Sequence, residues 1–127
     1  MDVEVLDRVS ENHPDVTKKN VEYAFKRYRH LTPRFSKEPT QYMAVGFDDT
    51  GRALEMLAFI DYREREEGSG DGHNNRHETY IVFHAMQCTK KFLSEMNVGK
   101  WETQYILGGN QHGISRQKRE RHFHGFH

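Results

Sequence analysis

A single cysteine, Cys88, leaves no partner for an intrachain disulfide and suits a reducing compartment. Long apolar runs are missing as well: none approaches the roughly 18–20 residues that a membrane span requires. The first residues, Met1-Asp2-Val3-Glu4, are acidic and lack the apolar centre of a signal peptide. A cytoplasmic protein is therefore the expectation. Net charge is absent too, with 19 basic and 19 acidic side chains. Only 35% of the 127 residues are hydrophobic against 30% charged, lean for the single core that a chain of this length builds. Eight Phe, six Tyr and one Trp partly offset this, because aromatic rings bury much area per residue. Such a chain either closes a small core of its own or keeps a surface for a partner.

The charges are unevenly spread. Residues 17–37 hold Lys18, Lys19, Lys26, Arg27, Arg29, Arg34 and Lys37 against one acid, Glu22. Residues 61–72 lean acidic, although Arg63 and Arg65 stand among the carboxylates, and the tail beyond Gly108 is basic again. A basic stretch of this kind can hold a polyanion in a neutral molecule, and a solvated helix face accounts for it equally.

The spacing predicts an α+β domain with helices first. Val5, Leu6 and Val9 suggest a short helix over 3–11, ended by His13-Pro14. Asp15 or Thr17 can cap a second helix, in which Val21, Ala24, Phe25, Tyr28 and Leu31 form one apolar face and Thr32-Pro33 the end. An antiparallel meander of three to four strands follows: 41–47, the turn Asp48-Asp49-Thr50-Gly51, 52–62, and 78–86 beyond a glycine-rich loop at 63–76. The last two strands are apolar on both parities, so both sheet faces are expected to be covered, one by the helices and the other by something else. Thr89 suits the N-cap of a short helix over 90–96. The domain is expected to span 1–97. Residues 98–127 read as an arm or last strand carrying Trp101, Tyr105, Ile106 and Leu107, then a disordered tail.

Recognisable catalytic signatures are few. Gly68-Ser69-Gly70 lacks the following Lys-Ser/Thr of a phosphate loop, and neither a serine triad nor a His-Glu-x-x-His pair is present. Cys88, between a strand end and a helix start, invites a lowered thiol pKa or serves as a buried spacer. His112, His122, His124 and His127 in the tail offer weak metal binding or are fortuitous. Neither a cofactor nor a metal is called for. The remaining constellation is His84 near the end of the third strand, with Lys90 and Lys91 opening the helix after it. A histidine beside cations can act on RNA, the histidine moving a proton at a 2′-hydroxyl while the cations hold the phosphate. Lys18, Lys26, Arg29, Arg63 and Arg65 are the accompanying candidates for RNA binding, although Arg63 and Arg65 leave the second strand at the end away from His84. A hydrogen-bonded core histidine is the competing reading.

The order of features resembles a known family. His13, Val16-Thr17, Val21-Glu22 and Ala24 come first, followed by Met43-Ala44-Val45-Gly46 and Gly51-Arg52 with Leu54-Glu55. Ile81-Val82-Phe83-His84-Ala85-Met86 before Thr89-Lys90-Lys91 completes the series. Together these resemble the BrnT-type toxins, a branch of the RelE/ParE-like fold, over about residues 3–97. The resemblance implies the toxin of a type II toxin–antitoxin pair: a metal-independent endoribonuclease that blocks translation, with RNA (including ribosome-bound mRNA) as target. It also implies a protein antitoxin as partner, in a hetero-oligomer. Many BrnT-type sequences read Ile-Ser-Ala-Arg in the third strand, then Thr with Arg or Lys, then Glu. Here His84 stands at the Ser, Met86 at the Arg, and Phe92 near the Glu, while Lys90 and Lys91 keep the basic pair. The missing arginine opens a second expectation, a non-catalytic protein-interaction module on the same scaffold.

Overall fold

A computed structural model describes residues 1–64 and 76–110. The elements are β1 (Asp2–Val5), α1 (Asp7–Asn12), α2 (Lys18–Lys26), β2 (His30–Arg34), β3 (Gln41–Phe47), β4 (Ala53–Glu64), β5 (Arg76–Gln87), α3 (Lys90–Glu95) and α4 (Lys100–Asn110). They form a mixed α+β fold around one five-stranded sheet in the order β1-β5-β4-β3-β2. Strands β3 to β5 make the expected antiparallel meander, β2 extends it at one edge, and β1 joins the far edge parallel to β5.

Two expectations fail in the first third of the chain. Residues 2–5 form a strand where a helix is predicted, because Val3 and Val5 alternate with Asp2 and Glu4 at the period of a strand and pair with Tyr80 and Val82. The second helix stops at Lys26, well before Leu31. Pro33 cannot donate a ladder hydrogen bond and biases Thr32 towards extended backbone, so 30–34 becomes the edge strand β2, where a proline is tolerated. Leu31 still reaches the predicted core, from a strand rather than a helix. The start of α2 is as expected: Thr17 and Asn20 form a reciprocal capping box.

The β3–β4 turn is local chemistry. Gly51 takes φ +89°, and the buried Asp48 carboxylate accepts from the backbone N–H groups of Thr50 and Arg52 and from the Thr50 hydroxyl. Burial alone would raise this carboxyl, but those hydrogen bonds and the Arg52 guanidinium carry it below its ordinary value. Arg52 also reaches Asp15 Oδ2 at 3.0 Å, so the Gly51-Arg52 pair ties the turn to the α1–α2 connection.

Two apolar layers enclose the sheet. Helices α1 and α2 cover Ala44, Leu54, Met56, Ala58, Val82 and Ala85 with Val9, Val21, Ala24 and Phe25. Close approach depends on Gly46, where an added Cβ would lie 2.3 Å from the Ala24 carbonyl oxygen. The opposite face is covered by the chain itself: Phe92, Leu93 and Met96 from α3 and Ile106 from α4 pack on Met43, Val45, Ala53 and Cys88. Residues 100–110 are therefore a helix, not the expected strand or arm. Asn97 explains the change of direction. It sits at φ 63°, donating to Ser94 O while Val98 donates to Leu93 O, a left-handed cap that ends α3 and turns the chain into α4.

Candidate functional site

The site is built around an irregularity in β5. Leu57 pairs with His84 but Ala58 pairs with Val82, so Phe83 is an extra residue opposite that step. The bulge resets the alternation of faces. Val82 and Ala85, three apart, both bury under α1 and α2, while Phe83 and His84 project to the α3 side. A regular strand would have put Val82 and Ala85 on opposite faces.

On the α3 side His84 meets Glu55. This carboxylate projects from near the start of β4, and its side chain is 8% exposed. One oxygen, Oε1, accepts from the backbone N–H of Thr89 at 3.0 Å and from its hydroxyl at 2.7 Å. The other, Oε2, lies 3.1 Å from His84 Nε2. Thr89 in turn accepts from Phe92 N at 3.2 Å and so caps α3. A buried carboxylate thus links the histidine to the start of the helix that covers it. With the Glu55 carboxylate accepting, Nε2 is the donating nitrogen of His84, and Nδ1 is not engaged by Glu55.

A cleft of about 220 Å³ opens on this pair, with Arg34, Lys91 and Glu95 around it and Leu57 and Phe92 as apolar walls. Arg34 makes a fork with Glu95, Nε to Oε2 at 2.6 Å and Nη2 to Oε1 at 2.7 Å, and its Nη1 donates to Gln41 at 3.1 Å. The Glu95 carboxyl is held below its ordinary value by the Arg34 hydrogen bond, with burial opposing and the charges of Arg34, Lys37 and Lys91 adding to it. The His13 ring stands edge-on to His84, centroids 6.2 Å apart.

Of the three catalytic candidates, the cleft brings His84 and Lys91 together and leaves Lys90 out. Neighbouring helical residues point about 100° apart, and Lys90 lines a separate groove between α3 and α4 with Val98, Lys100 and Leu107. The RNA-binding candidates do not gather at the cleft either. Lys18 pairs with Asp7 at 2.6 Å and Lys26 with Glu22 at 3.0 Å, both on α2 over the opposite face. Arg29 is committed to Glu102 of α4 and lies over the Tyr105 ring. Arg63 pairs with His77, six residues along β4 from the partner of His84, or roughly 20 Å away at strand rise. Arg65, most of the glycine-rich loop and the tail histidines lie outside the described residues.

Cys88 is buried, and desolvation followed by the Glu55 charge pushes its thiol up to about 12, so it is a spacer rather than a nucleophile. Among the described residues no group of three His, Cys, Asp or Glu side chains is placed to hold a metal, and no helix is long and apolar enough to cross a membrane. Glu55, Arg34 and Glu95 were not singled out from the sequence as site residues. Glu55 carries a visible signal, an acid within the apolar run 54–60; Arg34 shows only as one member of the basic stretch 17–37, and Glu95 not at all. No protein-family model matches the chain, and no curated protein or solved structure matches it.

Proposed function

We propose that the chain is a toxin of the type II toxin–antitoxin kind, a metal-independent endoribonuclease neutralised by a protein antitoxin. One observation carries the reading: an imidazole oriented by a buried carboxylate faces a cleft that also holds Arg34 and Lys91. His84 Nδ1 takes the proton of a 2′-hydroxyl, and the Glu55 carboxylate at Nε2 compensates the charge that the ring acquires. The 2′-oxygen attacks phosphorus, the bond to the 5′-oxygen breaks, and Lys91 supplies the proton to that leaving oxygen. The product end is a 2′,3′-cyclic phosphate. Arg34 offers a planar fork to the non-bridging oxygens as charge builds on them.

Support for this reading also comes from the mixed α+β architecture, in which paired helices precede an antiparallel meander and a capped helix follows it. Beyond α3 the same sheet face carries the half-buried Phe59 and Phe83 rings, 5.9 Å apart, an apolar surface suited to an antitoxin segment. Expression without the partner is expected to arrest growth, and the purified protein to cleave RNA in EDTA, leaving cyclic phosphate ends detectable by mass spectrometry. His84→Ala and Lys91→Ala should each relieve the arrest, whereas Lys90→Ala should not. Undiminished arrest in the His84/Lys91 double variant defeats this assignment.

A second reading, a non-catalytic interaction module, draws on how fully the site is tied off: Glu55 is engaged by Thr89, and Arg34 by Glu95. It predicts partner-dependent solubility and intact RNA after prolonged incubation.

A further inference from the structure

The Arg34–Glu95 pair sits where a substrate anion belongs. Arg34 commits Nε and Nη2 to the two oxygens of one carboxylate, the same planar, bidentate geometry it offers to two oxygens of a phosphate. The carboxylate comes from the last residue of a six-residue helix and is 42% exposed, so it does not belong to the core. It stands beside the cleft onto which His84 opens. Lys91 lines the same cleft and, with the more remote charge of Lys37, helps to hold this carboxylate ionised.

We propose that Glu95 is a built-in stand-in for a phosphate group, occupying the cradle of Arg34 and Lys91 in the resting protein and leaving it when a phosphate or phosphodiester enters. The identification of the ligand as an RNA phosphodiester rests on the reading of the cleft as a ribonuclease site. The competition between Glu95 and a phosphate does not. The cradle takes a dianion such as inorganic phosphate or a nucleoside 3′-phosphate, and Glu95 sets the affinity in two ways. It must surrender its bonds to Arg34, and it repels the incoming anion while it remains near. Swinging out is open to it because its side chain already faces solvent.

The experiment titrates inorganic phosphate, then uridine 3′-monophosphate, into the full chain while following by NMR the backbone amide resonances of Thr89 and Phe92, which line the cleft. Glu95→Gln is expected to bind both about tenfold more tightly than the unsubstituted protein, from the loss of competition and of like-charge repulsion. Adding Arg34→Gln should abolish the gain. Glu95→Asp, too short to keep the fork yet still charged, should give an intermediate gain, and it serves where the glutamine variant folds poorly. Equal affinities in the glutamine, aspartate and unsubstituted proteins overturn the proposal, as does a gain that persists without Arg34. A separate RNA-cleavage assay keeps the two readings apart. Tighter phosphate binding with intact RNA upholds the stand-in and defeats the ribonuclease. His84-dependent cleavage with unchanged phosphate affinity does the reverse.

Discussion

Under α1 and α2 the sheet presents Ala44, Leu54, Met56, Ala58, Val82 and Ala85, apolar throughout. Under α3 the same β4 and β5 strands present Glu55 and His84. The first face is packed for stability: its helices bury one stripe and tie Lys18 and Lys26 to nearby acids. The second accepts a buried carboxylate, which costs free energy unless every oxygen finds donors. Glu55 finds three, the Thr89 amide, the Thr89 hydroxyl and His84. A protein that needed only a second core layer would have placed an apolar residue there. The expense is understandable when the carboxylate has a histidine to orient.

The contrast can be broken from the packed side first. Phe25 is fully buried and its ring lies 5.1 Å from Tyr80. Phe25→Ala should cost about 3–5 kcal/mol, the loss of a large ring plus the cavity it leaves. A urea melt reads it, and a cost below that of an exposed-residue control would mean that α2 is not the main support of the sheet.

From the other side, Glu55→Gln keeps the shape and removes the charge. Its amide oxygen can still accept from Thr89, so the loss of stability should stay near ~1 kcal/mol. RNA cleavage should fall roughly 10²-fold, because the amide no longer compensates a protonated ring. An equal loss of cleavage and folding would reduce Glu55 to a helix latch. On the packed side again, Gly46→Ala drives a methyl group into the Ala24 carbonyl and should cost about 1–3 kcal/mol of stability while leaving cleavage per folded molecule unchanged, because the cleft lies on the other face.

These substitutions also mark what the sequence made legible. The Asp48–Gly51 turn, the Thr17 and Thr89 caps and the paired apolar parities of β4 and β5 announce themselves, because each is decided by a few neighbouring residues. His84 and Lys91 were within reach for the same reason: a histidine near a strand end and a lysine at a helix start lie close along the chain. Arg34 and Glu95, 61 residues apart, meet only because β2 and α3 come together over the sheet, and no local pattern encodes that. The bulge at Phe83 was hidden because an extra residue in an apolar strand leaves the composition unchanged. Residues 2–5 are ambiguous in the sequence because Val5, Leu6 and Val9 fit a helix as readily as Val3 and Val5 fit a strand. The parallel partner β5, more than 70 residues away, decides between them.

The α3/α4 face should also be the more sensitive to acid. Arg29 and His30 hold Glu102, and Arg34 holds Glu95, so both carboxyls titrate below their ordinary value of 4.5. A depressed carboxylate pKa contributes stability that is present above the unfolded value and is lost as pH falls through the folded one. Hydrogen exchange in α4 should therefore accelerate relative to α2 as pH drops below about 4.5, after correction for the intrinsic rate. Parallel loss of protection in both helices would show that α4 is held by Ile106 and its apolar neighbours rather than by its ion pairs.

The smallest effect is expected where the sequence looked most suggestive. Lys18 and Lys26 belong to the most basic stretch of the chain, but each already faces an acid, and α2 lies over the sheet face away from His84. Exposed pairs of this kind trade one set of solvated charges for another, and salt screens what is left. Replacing both lysines by alanine should leave the denaturation midpoint unmoved and RNA cleavage within error of the unsubstituted protein, whereas Arg34→Gln should depress cleavage. A drop in RNA affinity for the Lys18/Lys26 variant, with a shallower salt dependence, would show that the nucleic acid wraps from the cleft around to α2 and that the functional face is larger than the α3 side alone.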